Sequence, residues 1–207
     1  SPHPAVPGGD NALYVTLTDG RVVALGLERG ETLWEQTLAG TLSEPAAARD
    51  RVFVGSTDNF FYALDADSGS VTWKWRNGGD VIGAAADGDV IYLASLDNVI
   101  RAVNRGNGNQ RWLKSTVTRP VLPPRAFGGI VVLPGLMPAF TAFVGDTGAV
   151  MGSHATGNLL GAPLLDTSLK PFEVSIVTIT REGIVEALRP AGMMFREAAT
   201  VPLTAVP

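Results

Sequence analysis

Three tryptophans, Trp34, Trp73 and Trp112, stand 39 residues apart. Self-similarity at a fixed period of about 20–50 residues marks an array of one repeated structural unit, so this spacing constrains the fold more than composition does. Other columns keep the same register. Gly30, Gly69 and Gly108 each precede their Trp by four residues, and Gly148 follows after a step of 40. Ala24, Ala63, Ala102 and Ala142 step by 39, 39 and 40, and so do Tyr14, Phe53, Tyr92 and Val132. Asp19-Gly20, Asp58-Asn59 and Asp97-Asn98 share the period. A weaker fifth copy runs through Val177, Glu182-Gly183 and Ala187-Leu188. The step from Ala142 to Ala187 is 45, so an insertion separates the fourth and fifth copies.

Each copy reads as four strands. In the second, the strands are expected at Pro45 to Ala48, Arg51 to Ser56, Phe60 to Ala66 and Val71 to Arg76. Asp58-Asn59 and Ser68-Gly69 are the tight turns, because Asp, Asn and Gly tolerate the positive φ that such turns require. No segment shows helical periodicity over ten residues. Runs such as Phe60-Phe61-Tyr62-Ala63-Leu64 are apolar on both faces. A sheet exposed on one side would alternate, whereas a sheet sandwiched between neighbours would not. Four-stranded units repeated at this length match radial blades. The expected fold is all-β: one β-propeller domain over 1–207 with antiparallel blades at approximately 4–40, 41–79, 80–118, 119–160 and 161–201. Two closures remain open, a ring of five blades or part of a larger propeller. The tail Pro202 to Pro207 reads as the start of another first strand, similar to Pro4-Ala5-Val6. Trp34, Trp73 and Trp112 are expected at blade seams, where a large flat side chain is best buried.

Composition excludes several function classes. The 207 residues are 45% hydrophobic and 17% charged, which is rich enough in apolar groups for a sizeable core. Net charge is −4 and no Lys/Arg run occurs, so no nucleic-acid partner is expected. The absence of cysteine excludes disulfides, a Cys zinc site and a thiol nucleophile. No run approaches the roughly 18 apolar residues of a membrane span. The start, Ser-Pro-His-Pro, reads as a trimmed chain from which a leader or lipid-anchor Cys would have been lost.

The stretch Ala63-Leu64-Asp65-Ala66-Asp67-Ser68-Gly69-Ser70-Val71-Thr72-Trp73 resembles the pyrroloquinoline-quinone-type (quinoprotein-like) propeller repeat. Copies at 24–34 and 102–112 fit the pattern well. The copy at 142–151 keeps Asp146-Thr147-Gly148 but has Met151 near the Trp position, and the copy at 187–196 keeps Ala187 and Gly192 and ends in Phe195. The resembling family contains quinoprotein dehydrogenases, BamB-type outer-membrane assembly lipoproteins and sensor domains fused to kinases. The resemblance is greatest to the BamB-type group. It implies a non-catalytic protein-interaction scaffold of the bacterial envelope, periplasmic and outer-membrane-associated, with a protein partner and a lipid anchor in the full-length protein. The rival implications are a quinone-dependent dehydrogenase and an extracytoplasmic ligand-sensing domain.

Catalytic candidates are few. The resembling dehydrogenases use a disulfide between adjacent cysteines, a Trp beneath the cofactor, calcium held by Glu and Asn, and an Asp base. The disulfide is unattainable here, and no cofactor, metal or catalytic residue is expected. Trp75 shares a strand and face with Trp73 and reads as packing. Asp65 and Asp67 form an alternating pair beside a Gly turn and read as solvated. His3 lies near the start, and His154 reads as an exposed side chain in a connector beside Ser153, with no acid that the sequence can pair with it.

Function is therefore sought on one face. In an antiparallel four-stranded blade, the strand 2–3 hairpins and the connectors to the next blade share one end. Units one to three have polar tips there, whereas unit four has Leu133-Pro134-Gly135-Leu136-Met137-Pro138-Ala139-Phe140. The unusual connectors Lys114 to Arg125 and Gly152 to Pro171 lie on the same face. Leu136, Met137, Pro138, Phe140, Arg119 and Arg125 are the candidate partner-binding residues. The competing expectation is that the tip folds back to plug blade four.

Overall fold

The structure, a computed structural model, describes residues 5–8, 11–136, 139–155, 164–166, 175–179, 184–191 and 194–202, with side chains beyond 155 described only at 176–178 and 185–189. Sheet one holds β1 (Val6–Gly8), β2 (Ala12–Thr16), β3 (Arg21–Gly26) and β4 (Thr32–Thr37). Sheet two holds β5 (Ala46–Ala48), β6 (Arg51–Gly55), β7 (Phe60–Asp65) and β8 (Val71–Arg76). Sheet three holds β9 (Val81–Asp87), β10 (Val90–Ser95), β11 (Val99–Asn104) and β12 (Gln110–Ser115). Sheet four holds β13 (Arg125–Phe127), β14 (Ile130–Pro134), β15 (Ala139–Val144) and β16 (Val150–Ala155). Sheet five holds β17 (Leu164–Asp166), β18 (Ser175–Ile179), β19 (Ile184–Ala191) and β20 (Met194–Pro202). Every sheet is an antiparallel meander with its strands in chain order. The first strands β1, β5, β9, β13 and β17 neighbour one another in turn, so the sheets radiate as propeller blades.

The repeat columns have local causes. Gly30, Gly69, Gly108 and Gly148 close the turns between third and fourth strands, with φ of 70°, 71°, 72° and 67°, where a Cβ is disfavoured. Each amide returns to the residue four back, as in Gly69 N–H to Asp65 O at 2.9 Å. The repeated alanines mark a bulge. In every sheet the third-to-fourth strand register shifts immediately after Ala24, Ala63, Ala102, Ala142 or Ala187. One extra residue on the fourth strand bends it and increases its local twist.

The same pairing corrects two readings. The residue opposite the alanine is Trp34, Trp73 and Trp112 in the first three sheets, but Gly152 in sheet four and Ala199 in sheet five. Phe195 pairs with Pro190 instead, so it does not take the Trp position. Gly152 to Ala155 belong to β16 rather than to a connector, which also moves His154 into a strand. Glu182-Gly183, Gly192, His3 and the tail beyond Pro202 lie outside the described residues.

Both faces of the inner sheets are buried. Tyr14, Ala24 and Trp34 of sheet one pack with Val52, Val54 and Leu64 of sheet two. Phe53, Phe61 and Ala63 pack with Ile91, Leu93 and Val103 of sheet three. Tyr92, Ala102 and Trp112 pack with Val131, Leu133 and Phe143 of sheet four, and Phe140 and Ala142 with Ile176 and Leu188 of sheet five. Each buried aliphatic or aromatic side chain stabilises the stack by about 1.5–3 kcal/mol before entropy is counted.

Candidate partner-binding face

The β2–β3, β6–β7 and β10–β11 hairpins turn on Gly20 (φ 88°), Asn59 (φ 68°) and Asn98 (φ 61°). The chain leaving each fourth strand is tied to the tip of its own hairpin. Leu38 N–H donates to Gly20 O at 2.9 Å, Asn77 N–H to Asn59 O at 2.7 Å, and Thr116 N–H to Asn98 O at 2.8 Å. The connector then bridges to the following blade, at Leu42 with Ser56 and at Pro120 with Gly135. Hairpins and connectors therefore form one continuous surface.

Polar side chains brace the tips in sheets two and three. The Tyr62 hydroxyl donates to Asp58 at 2.5 Å. Burial and that carboxylate push the Tyr62 phenol up to about 12. In sheet three the Ser95 hydroxyl donates to Asp97 at 2.6 Å, and Arg101 donates to both Ser95 and Asp97 at 3.0 Å. Burial alone would raise the Asp97 carboxyl, but the Ser95 hydroxyl and the Arg101 guanidinium outweigh it and hold the acid below the usual carboxylate range. Arg101 was not among the sequence candidates. Its signal was the break in an apolar column, since Tyr62 and Arg101 occupy one repeat position.

The fourth tip divides the candidates. Leu136 is 69% exposed, and its N–H donates to Arg119 O at 2.8 Å. Arg119 is itself exposed, so this backbone bond joins an exposed apolar residue to an exposed cationic one. Phe140 is 1% exposed and packs with Val132, Ala142, Ile176 and Leu188, which removes it from the candidate contact surface. Its large ring is better satisfied in the seam beside sheet five. Arg125 stands apart in β13, half-buried and 3.9 Å from Glu44 in the connector entering sheet two. Met137 and Pro138 lie outside the described residues, as does most of the connector after Ala155.

The catalytic candidates do not assemble. His154 lies 3.6 Å from Glu186 and against the Phe140 ring, while Ser153 bonds Thr141 at 3.1 Å. Adjacent strand residues point to opposite faces, so Ser153 and His154 diverge. Glu186 comes from β19, which explains why no acid could be paired with His154 from sequence. No group of three or more His, Cys, Asp or Glu suited to a metal occurs among the described residues.

The seam tryptophans offer no seam-side ring face on which a redox quinone could stack. Trp34, Trp73 and Trp112 lie over Gly69, Gly108 and Gly148, with ring carbons 2.5–2.8 Å from where a Cβ would stand. Their N–H groups donate to Ala66 O at 2.8 Å, Arg105 O at 3.0 Å and Gly145 O at 2.6 Å. Each tryptophan thus reaches from one sheet into the next, leaving that ring face unavailable to a planar cofactor. Trp75 packs beside Trp73 against the cluster between sheets two and three. On the opposite end of the blades, an open cavity of about 410 Å³ between sheets one and two is lined by Asn11, Tyr14, Leu33, Arg49 and Asp67.

A family model described as outer membrane protein assembly factor BamB matches residues 3–162. The chain belongs to this BamB-type PQQ-repeat family. Solved structures agree on the fold. BamB from Moraxella catarrhalis superposes with a TM-score of 0.74 at 17% identity, covering 95% of this chain and 60% of that one. A chain of a mitotic checkpoint complex gives 0.76 at 15%, covering 94% and 62%. The computationally designed protein Ika8 gives 0.74 at 14%, covering 93% and 60%. The chain therefore spans about three-fifths of the length of these propellers. No curated protein matches it in sequence. No helix among the described residues is long and apolar enough to cross a membrane.

Proposed function

We propose that this propeller is a non-catalytic scaffold that docks a protein partner in the bacterial envelope, in the periplasm beside the outer membrane. The carrying observation is the Leu136–Arg119 pair. An exposed leucine beside an exposed arginine, both held by backbone bonds on a continuous hairpin surface, suits capture of a partner with an apolar side chain and a carboxylate. The family description points to an outer-membrane assembly component as that partner.

The test places a photo-crosslinking residue at position 136 in envelope preparations and repeats the capture with Leu136→Glu and Arg119→Glu. Loss of one discrete adduct in both variants, with folding intact by circular dichroism, supports the reading. Unchanged capture by both sinks it. Dye reduction after addition of quinone and calcium would instead establish the dehydrogenase reading.

A further inference from the structure

The cavity between sheets one and two exists because one repeat position changes its side chain. Ala66, Arg105 and Gly145 each stand three residues after a bulge alanine, and their carbonyls accept the N–H of Trp34, Trp73 and Trp112. At the seam of sheets two and three, the Arg105 side chain occupies the space beside that carbonyl. It is 14% exposed, and its guanidinium pairs with Asp50 of sheet two and, at 3.2 Å, with Asp89 of its own sheet. At the seam of sheets one and two the same position is Ala66, whose methyl fills little of that space. The open cavity of about 410 Å³ lies there, with Ala66 in its wall. Its volume falls in the roughly 300–1,000 Å³ range of small-molecule sites.

The wall carries two opposite charges. Arg49 stands in the β5–β6 turn at φ 52°, where Gly88 and Gly128 hold the same repeat position at 57° and 61°. Glycine takes that backbone freely and arginine is strained in it, so the turn itself gives no reason for a side chain there. Its pair with Asp89 is 3.9 Å long, between two exposed side chains. Asp67 stands where sheet three has Gly106, and it forms no ion pair among the described residues. Burial, then the Asp67 carboxylate, pushes the Tyr14 phenol up, so the field of that acid reaches the ring that lines the cavity. Asn11 holds the repeat position of Asp50.

We propose that this cavity binds a small molecule bearing a guanidinium and a carboxylate, either free arginine or a peptide that ends in arginine. The next seam holds the cation in the equivalent space, supplied from within by Arg105 and met by carboxylates. Here Ala66 withdraws that side chain, and Asp67 with Asn11 receives a guanidinium from outside. Arg49 receives the carboxylate in a charge-assisted, two-pronged pair. Tyr14 and Leu33 cover the methylene stem. The open mouth leaves the rest of a peptide in solvent.

Calorimetric titration with L-arginine tests this. The chain binds it, and Ala66→Arg, which restores the side chain of the next seam, abolishes binding. Arg49→Gly gives the turn the residue of its siblings, so it folds at least as well. It weakens L-arginine binding by at least about tenfold, and so does Asp67→Asn. Agmatine, which lacks the carboxylate, binds more weakly than L-arginine and is not weakened further by Arg49→Gly. Tighter binding of glycyl-arginine than of L-arginine marks a peptide end as the source, and the reverse order marks the free amino acid. No heat up to about 10 mM L-arginine overturns the proposal. Undiminished binding by Arg49→Gly or by a folded Ala66→Arg overturns it as well. If Ala66→Arg does not fold, Arg49→Gly and Asp67→Asn decide. Partner capture at Leu136, on the other end of the blades, is read separately and is independent of all these outcomes.

Discussion

Gly69 sits so close beneath Trp34 that a Cβ on it would lie 2.5 Å from Cε3 of the indole. Gly30 has the same backbone, φ 70° against 71°, and among the described residues no atom lies within 4 Å of a Cβ there. The two glycines therefore separate backbone strain from seam packing. Gly30→Ala is expected to destabilise the chain by about 1–2 kcal/mol, the cost of a left-handed alanine. Gly69→Ala adds the displacement of the ring, a further ~1–3 kcal/mol. Urea denaturation of both variants checks this, and equal losses would show that the ring gives way freely.

Trp112 tests the hydrogen bond of the seam. Its N–H satisfies the carbonyl of Gly145, a buried residue, at 2.6 Å. Trp112→Phe keeps an aromatic ring but leaves that acceptor unpaired, costing about 1–3 kcal/mol. Trp112→Ala, which also opens a cavity, costs about 3–5 kcal/mol. Thermal unfolding of the two variants gives the order.

Asp97 makes part of the stability depend on acid. Its carboxyl titrates lower in the folded chain than in the unfolded one, so its contribution is fully present above the unfolded value. That contribution fades as pH falls through the folded value. Asp97→Asn is expected to flatten the loss of stability below about pH 4. It also leaves Arg101 without its carboxylate partner, at a cost of about 3 kcal/mol at neutral pH. Denaturation midpoints across pH 2 to 7 test both effects, and an unchanged acid slope would remove Asp97 as its source.

Phe140 and Leu136 are four residues apart, yet opposite behaviour is expected. Phe140→Ala removes a buried ring from the seam with sheet five and costs about 3–5 kcal/mol. Leu136→Ala stays within about 0.5 kcal/mol, because its side chain faces solvent. Calorimetry on each variant distinguishes the buried part of the tip from the exposed part.

Much of the architecture was legible before any coordinates. Period, turn glycines and two-sided apolar strands located all four strands of sheet two to within two residues. The bulge beside each repeated alanine was not legible, because register shifts arise from backbone pairing rather than from residue type. Phe195 falls near the tryptophan column in sequence because the β19–β20 hairpin is longer: Ala187 pairs with Ala199, 12 residues on, whereas Ala24 pairs with Trp34, 10 residues on. His154 was assigned to a connector for a related reason: with Gly152 at the Trp position, the fourth strand of sheet four lost its marker. The apolar tip was visible as a departure from its siblings, but its division between buried Phe140 and exposed Leu136 was not.

By itself, the sequence determined the repeat, the all-β class and the three tryptophans that mark the seams, because period and polarity are properties of the chain read in order. Only the tertiary structure decided which turn glycine lies beneath a tryptophan and which does not. Gly30 and Gly69 look alike in sequence, and they differ only in what the neighbouring sheet places over them. Burial is a relation between sheets packed in space, and no residue carries it alone.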